Sequence, residues 1–154
     1  MGLTVSTLLK AFEDLNVADD ACVFSKYGGS IDFGNITERA CVALKEIEVE
    51  TFDVSLEARD KKVSPTKQKI IVILLADYNF DYYKCLTVGD LKKFLENIQN
   101  KREFVCIAKP EKMYSKNNHY YNALSVSLDT EGGTKGKDLK LRLIFNNDIV
   151  HLNY

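Results

Sequence analysis

Two histidines, His119 and His151, are the side chains best suited to act as a general base in this sequence of 154 residues. A hydrolase of the Ser–His–Asp or Cys–His type needs a histidine within hydrogen-bond reach of its nucleophile, and the spacing singles out no serine or cysteine for either one. His119 lies in the loop-like stretch Lys-Asn-Asn-His-Tyr-Tyr, with no carboxylate or cysteine at a ligand spacing. The sequence therefore favours a protein that is not an enzyme, with a hydrolase built around His119 as a remaining alternative.

Phosphate-binding loops and metal sites have equally little basis in the sequence. The glycine-rich stretches 28–30 and 132–137 do not lie between a strand and the start of a helix, where backbone N–H groups converge on an anion. Four cysteines show no Cys-x-x-Cys spacing, so they are expected to be reduced, buried thiols: Cys22, Cys41, Cys85 and Cys106. We expect neither a cofactor nor a metal.

Binding to another protein is the function that the polar side chains favour. Glutamates alternate with mainly apolar residues from Glu46 to Thr51, which predicts a half-buried strand with an acidic outer face. A row of carboxylates complements a basic groove that otherwise holds nucleic acid, and tyrosines are enriched in interface cores. The expected partner-binding residues are acidic or aromatic: Glu46, Glu48, Glu50, Asp53, Tyr78, Tyr82, Tyr83, Tyr120 and Tyr121.

Basic side chains in the second half of the chain give an alternative. The formal net charge is only −1, but Met1–Tyr83 holds nine basic against fourteen acidic residues and Lys84–Asn146 holds twelve against seven. Such asymmetry is typical either of a partner surface or of two repeats that diverged independently. A nucleic-acid-binding accessory protein would use the cluster Lys135, Lys137, Lys140 and Arg142.

Two stretches of the chain are similar at a fixed offset of 83 positions. Leu3–Lys26 and Leu86–Lys109 share seven identical residues without a gap, which indicates an internal repeat. The sequence therefore predicts an α+β fold of two tandem repeats, each a helix followed by an antiparallel meander, in one continuous sheet or two small lobes. The expected boundaries are a first repeat at 1–76 with an inserted acidic strand, an aromatic linker at 77–85 and a second repeat at 86–154.

Helix caps and apolar periodicity place the two helices. Thr4 and Thr87 are the predicted N-caps, and Asp90 is placed to complete a capping box with Thr87. The first helix is expected to end near Asn16. The buried stripe of the second is expected to be Val88, Leu91, Leu95 and Ile98.

Apolar runs place the strands that follow. The run Ile70–Leu75 predicts a central strand buried on both faces, whereas Leu139–Phe145 alternates and is expected to show one face to solvent. Asn35 or Thr37 is expected to cap a short helix that ends near Leu44.

The same helix-to-strand pattern is found in both copies: Thr-Val-x-x-Leu-x-x-x-Leu, then an acidic residue and then a strand. The residues that fit are Thr87, Val88, Leu91, Leu95, Glu103 and Val105, and also Thr4, Val5, Leu8, Phe12, Asp20 and Val23. This pattern resembles small phage and bacterial modules that open with a Thr-Val-capped helix and pass into a short β-meander. The proline-rich turn usual in those modules is missing from both copies. The resemblance implies a mobile-element origin and transfers no site.

Composition limits where such a protein acts. With 45% apolar and 28% charged residues, the chain has an ordinary globular composition, and no run reaches the length of a membrane span or of a secretory signal. We expect a cytoplasmic protein of an infected or lysogenic bacterial host. The working hypothesis is a phage or prophage inhibitor of a bacterial defence nuclease, such as a CRISPR effector, that occupies a basic nucleic-acid-binding surface.

Overall fold

A computed structural model describes residues 2–28, 38–51, 66–76, 85–108, 120–129 and 139–149 of the chain. These residues form two helices and six strands, in the order α1 (Val5–Leu15), β1 (Cys22–Tyr27), β2 (Glu38–Thr51), β3 (Thr66–Leu75), α2 (Val88–Glu96), β4 (Val105–Ala108), β5 (Tyr121–Asp129) and β6 (Lys140–Ile149). The architecture is mixed α+β, as predicted.

The six strands close into one barrel in sequence order. Neighbouring strands pair antiparallel within each half of the chain, β1–β2–β3 and β4–β5–β6. The halves join through two parallel pairs, β3 with β4 and β6 with β1. Of the two arrangements left open by the sequence, the described residues form the single sheet. Closure pairs the outer edges that each three-stranded meander would otherwise expose.

Both helices start at the predicted threonine. The Thr4 hydroxyl accepts a hydrogen bond from the Thr7 N–H at 3.3 Å, and the Thr87 hydroxyl accepts one from the Asp90 N–H at 3.2 Å. The Asp90 carboxylate accepts from the Thr87 N–H at 3.3 Å and completes the expected capping box. Asn16 follows the end of α1 in a left-handed conformation, with a φ of 50°. The start of each helix and the end of α1 are thus confirmed.

The residue before each helix cap joins two strands of the other half of the chain. Leu3 donates its N–H to the Ala123 carbonyl at 2.6 Å, and its own carbonyl accepts from the first residue of β4 at 2.9 Å. Leu86 likewise donates to the Cys41 carbonyl and accepts from the Val23 N–H, both at 2.8 Å. Each helix is therefore held at its start by strands of the other half.

The core lies inside the barrel and against the helices. Alternate residues of the strands and the apolar stripes of α1 and α2 belong to one buried cluster, which includes Leu8, Phe12, Val23, Ile71, Ile73, Leu91, Leu95, Ile107, Leu141 and Leu143. The second face of β3 is also buried, since Ile70 and Val72 pack with Cys106 and Ala108 outside the barrel. This confirms β3 as a strand buried on both faces. The stripe predicted for α2 is likewise buried, Ile98 included.

The prediction of a short helix that ends near Leu44 is wrong. Residues 38–44 belong to β2, and Ala40 lies directly opposite Phe24 of β1. Ala40, Phe24 and Ala76 pack together in a buried cluster. Pairing with β1 therefore outweighs the local preference of this alanine- and leucine-containing stretch for helix.

The acidic strand is one of the six barrel strands. β2 lies between β1 and β3, just as β5 lies between β4 and β6. The predicted linker at 77–85 lies outside the described residues except for Cys85, so its boundaries stay a prediction.

Candidate functional site

Charged side chains alternate along the antiparallel pair of strands β2 and β3. Its outer part, residues 46–51 and 66–70, is defined here as the arm. Among the described residues no third strand pairs with the arm, because the pairing of β3 with β4 begins at Ile71. Glu46, Glu48 and Glu50 are exposed on one face, and Ile47 and Val49 lie partly buried on the other. The predicted period-two alternation is confirmed.

A bulge in β2 determines whether the three glutamates lie on the interior or the exterior side of the sheet. Cys41 faces the interior, but the pairing with β3 shifts by one residue between Cys41 and Ala43. Leu44 is therefore the next residue that packs against the interior core. Because side chains alternate along a strand, Glu46, Glu48 and Glu50 continue this inward-facing side past the end of the barrel.

Lysines of β3 lie directly opposite two of the three glutamates. Glu48 is paired with Lys69 and Glu50 with Lys67, and all four side chains are exposed. The expected row of carboxylates is therefore a mixed stripe of both signs. Exposed pairs of this kind contribute between zero and about 1 kcal/mol, because water and salt screen them. Their charges stay available to a partner.

Glu46 differs from the other two glutamates because its cross-strand neighbour is the buried Ile71. Its carboxyl group instead acts on the carboxyl group of Glu103, which precedes β4 and is only 3% exposed. Burial is the largest cause that raises the pKa of Glu103 from 4.5 to about 7, followed by the neighbouring carboxyl group of Glu46. Lys69 acts in the opposite direction and lowers this pKa.

Backbone hydrogen bonds around the end of α2 hold Glu103 in place. The Glu103 carbonyl accepts from the Val5 N–H at 2.9 Å, and its own N–H donates to the Asn100 carbonyl at 3.3 Å. The nearby Lys101 ammonium donates to three carbonyls at the end of α2, those of Leu95, Glu96 and Ile98. Its charge therefore stabilises the negative end of the helix dipole.

The site at the root of the arm consists of Glu46, Glu103 and Lys69. With a pKa of about 7, the buried Glu103 carboxyl group is about half protonated at neutral pH, since burial and the nearby charge of Glu46 both disfavour its ionised form. Such a pair can bind a proton or a cationic group. No group of three or more histidine, cysteine, aspartate or glutamate side chains suited to a metal ion occurs within the described part of the chain.

The sequence identified Glu46 but missed Glu103 and Lys69 as its neighbours. Glu46 and Glu103 come from opposite halves of the chain and meet only because β3 and β4 pair in parallel. One signal did exist in the sequence. Glu103 is an acidic residue that stands just before the fully buried strand Val105–Ala108.

The basic residues of β6 are already paired. Arg142 Nη2 lies 2.9 Å from carboxylate oxygens of both Glu38 and Asp129, and Lys140 Nζ lies 3.6 Å from Glu38. Lys140 also lies over the Phe24 ring, 4.8 Å from its centroid. Two of the four residues predicted for nucleic-acid binding thus have their charge balanced within the barrel wall. The other two, Lys135 and Lys137, lie outside the described residues.

The predicted exposure of Tyr121 is wrong. It is 9% exposed and belongs to the interior core, with its ring centroid 5.7 Å from that of Phe145. Burial, and then the neighbouring Tyr27, raises the pKa of its hydroxyl above 10.0. Tyr120 is half-buried against the cluster outside β3. Asp53, Tyr78, Tyr82, Tyr83 and His119 lie outside the described residues, and so does His151.

All four cysteines are free thiols. Three of them, Cys22, Cys41 and Cys85, lie near one another where Leu86 joins β1 to β2. The Cys85 thiol donates to the Val23 carbonyl at 3.3 Å. Burial, and then the charge and hydrogen bond of Cys22, raises the pKa of Cys85 to about 12, and burial raises that of Cys41 as well. Thiols held in the protonated form are poor nucleophiles.

Comparisons with protein-family models, with curated proteins and with solved structures found no match. Neither helix in the described ranges has the length and apolar character that a membrane crossing requires.

Proposed function

We propose that this chain is a non-enzymatic protein-binding module that uses the charged face of the arm as its binding surface. The observation that carries the proposal is the arm itself: its five charged side chains are exposed on one face, Glu46, Glu48, Glu50, Lys67 and Lys69. Three carboxylates against two ammonium groups leave this face net negative, and the buried Glu103 adds a fourth carboxyl at its root. Mixed charges of this kind give orientation and fast association with a partner of complementary pattern.

The partner proposed is a protein with a basic nucleic-acid-binding surface. In its full form the proposal is a phage or prophage inhibitor that blocks a bacterial defence nuclease, such as a CRISPR effector, in the cytoplasm of the host. Its support is the acidic face of the arm together with the resemblance to small phage modules. We further propose that the chain arose by fusion of two helix-plus-meander repeats, because the described residues of each half form one helix and three strands in the same order.

Direct nucleic-acid binding through the second half is the weaker alternative. A phosphate backbone is bound by lysine and arginine side chains that exchange their counterions for phosphate. Arg142 and Lys140 would first have to leave Glu38 and Asp129, at 2.9 to 3.6 Å. That exchange would leave two carboxylates close to the bound phosphates.

The test is a tagged pull-down from a bacterial lysate, with and without nuclease treatment, analysed by mass spectrometry. One bait carries the charge reversals Glu46→Lys, Glu48→Lys and Glu50→Lys. The matched control reverses three exposed carboxylates on the helices, Glu13, Asp14 and Glu96, and so changes the net charge equally. Circular dichroism establishes that both variants fold.

The proposal predicts one nuclease-resistant protein that the wild-type and control baits retain and that the arm variant loses. The retained protein should bind nucleic acid in competition with the bait, and raising the salt should weaken the complex. Equal retention by the arm variant would overturn the arm as binding surface. Recovery of nucleic acid alone would favour direct nucleic-acid binding through the second half of the chain.

A further inference from the structure

The carboxyl group of Glu103 is buried without a full set of hydrogen-bond partners. Its side chain is 3% exposed, and its Oε1 accepts no hydrogen bond from any residue that the structure describes. A buried acceptor that lacks a donor typically costs a protein about 1–3 kcal/mol. Native proteins contain few such atoms, and they often mark a site with a role other than stability.

The two halves of the barrel differ in the residues that they place at this position. Ile71 of β3 pairs with the first residue of β4, and Leu141 of β6 pairs with the second residue of β1. Both pairs are parallel and join the two halves, so Ile71 and Leu141 hold equivalent positions. Lys69 and Leu139 each lie two residues earlier and are equivalent as well.

The partners of these two residues extend the equivalence. Glu46 lies directly opposite Ile71, and Leu128 lies directly opposite Leu141. Glu46 in the first half therefore takes the position of Leu128 in the second.

Glu103 has an equivalent residue on the same grounds. The Glu103 carbonyl accepts from the Val5 N–H, and the Ala21 carbonyl accepts from the Val88 N–H, both at 2.9 Å. Val5 and Val88 are the first residues of their helices. Three polar residues thus stand where the other half places apolar ones: Glu46, Lys69 and Glu103 in the positions of Leu128, Leu139 and Ala21.

We propose that Glu46 and Glu103 form a binding site for a cationic side chain of the partner, specifically an arginine guanidinium. The inference rests on the proposed function and names the chemistry that the root of the arm recognises. Glu46 is exposed and offers the entry, while Glu103 Oε1 supplies an acceptor that lacks a donor. The barrel does not require this pair, because the other half closes with leucine and alanine at the same place.

Guanidinium fits the pair better than the other cations. Its planar fork presents several N–H donors and meets two carboxyl groups at once, which an ammonium point charge does not. A divalent metal would need more ligands than two carboxyl groups, and Lys69 beside them would repel it. Lys69 faces the pair from β3, whereas the Lys101 ammonium is hydrogen-bonded to carbonyl groups at the end of α2. Among the described cationic residues that face the pair, an incoming arginine therefore competes with Lys69 alone.

Binding of the cation releases the proton that the pair holds. An arginine binds the doubly ionised pair, so the affinity rises with pH through the pKa of Glu103 near 7. At pH 6 a group with this pKa is about nine-tenths protonated, and at pH 8 about one-tenth. We expect about a tenfold gain in affinity between these two pH values.

The experiment uses the full chain and a small probe, N-acetyl-arginine-methylamide, followed by NMR at pH 6 and pH 8. The neutral, nearly isosteric N-acetyl-citrulline-methylamide is the matched control ligand. The expected result is that only the arginine probe lowers the apparent pKa of Glu103, read from its side-chain carboxyl carbon, and shifts the amide signals of Glu46 and Glu103. The double variant Glu46→Leu and Glu103→Ala copies the other half of the barrel and should fold but lose this response.

Equal responses to arginine and citrulline would overturn the site, and so would an arginine response that persists in the double variant. Shifts confined to Glu48 and Glu50 would also overturn it, because they would indicate association along the exposed stripe. Capture of a partner that the double variant binds as tightly as the wild type would leave the proposed function standing and refute this site. A specific arginine response without any captured partner would refute the proposed function alone.

Discussion

Ionisation of Glu103 should make the stability of this protein fall as the pH rises towards and through neutrality. The carboxyl group has a pKa of about 7 in the folded chain and the ordinary value of 4.5 when unfolded. A raised pKa means that the folded state holds the proton more tightly. The resulting stabilisation is complete below pH 4.5 and is lost as the pH rises to about 7.

The size of the effect follows from the difference between the two pKa values. That difference corresponds to at most about 3 kcal/mol of unfolding free energy. The exposed Glu46 contributes less than a buried neighbour would, since water screens its charge. A Glu103→Gln variant keeps the shape and hydrogen-bonding capacity of the side chain but does not ionise, so it should lack this dependence.

Urea unfolding at pH 5, 6, 7 and 8 measures the effect. The chain has eight tyrosines and no tryptophan, so tyrosine fluorescence and far-ultraviolet circular dichroism are the appropriate signals. Between pH 5 and pH 8 the wild type should lose up to about 3 kcal/mol relative to Glu103→Gln. Glu50→Gln removes an exposed carboxylate from the same face and should behave like the wild type. Parallel profiles for wild type and Glu103→Gln would refute the reasoning.

Three further outcomes follow from the barrel. Arg142→Met should lower the unfolding free energy by about 2 kcal/mol, because the largely buried carboxylates of Glu38 and Asp129 lose their shared cation. A loss below about 0.5 kcal/mol in urea unfolding would show that these ion pairs contribute no more than exposed ones do. Leu91→Ala, at a fully buried position, should cost about 2–5 kcal/mol, whereas Leu15→Ala, 38% exposed, should cost less than about 1, and equal losses would contradict the described core. Fragments 1–76 and 77–154 should regain the native circular dichroism spectrum only when they are mixed, because each helix is held by strands of the other half. The mixture should then elute from a size-exclusion column as a 1:1 complex. A fragment that folds alone as a monomer would contradict this.

Features that depend on neighbours close in the chain were predictable from the sequence. The caps at Thr4 and Thr87 need only a hydroxyl and an N–H three residues on. The buried stripe of α2 and the doubly buried strand β3 follow from the spacing of apolar residues. The similarity at an offset of 83 positions pointed to two halves of like content, and the described residues of each half do form one helix and three strands.

Features that depend on contacts distant in the chain were not predictable. The stretch before Leu44 has residues that suit a helix, and only its pairing with β1 makes it a strand. Tyr121 was expected on the surface beside Tyr120, but the alternation of β5 turns it into the barrel interior. Glu103 meets Glu46 only across the parallel contact of β3 with β4, which no local pattern encodes.

The three glutamates of β2 show which features the sequence determines and which depend on tertiary structure. The sequence by itself determined that Glu46, Glu48 and Glu50 share one face, since side chains alternate along any strand. Which face that is depends on a single extra residue, the bulge between Cys41 and Ala43, because a shift of one residue moves every later side chain to the opposite side. That bulge places the glutamates on the side of the barrel interior and brings the first of them to the buried carboxyl group of Glu103. Only tertiary structure decided this contact, because the parallel pairing of β3 with β4 sets the register between strands from the two halves of the chain.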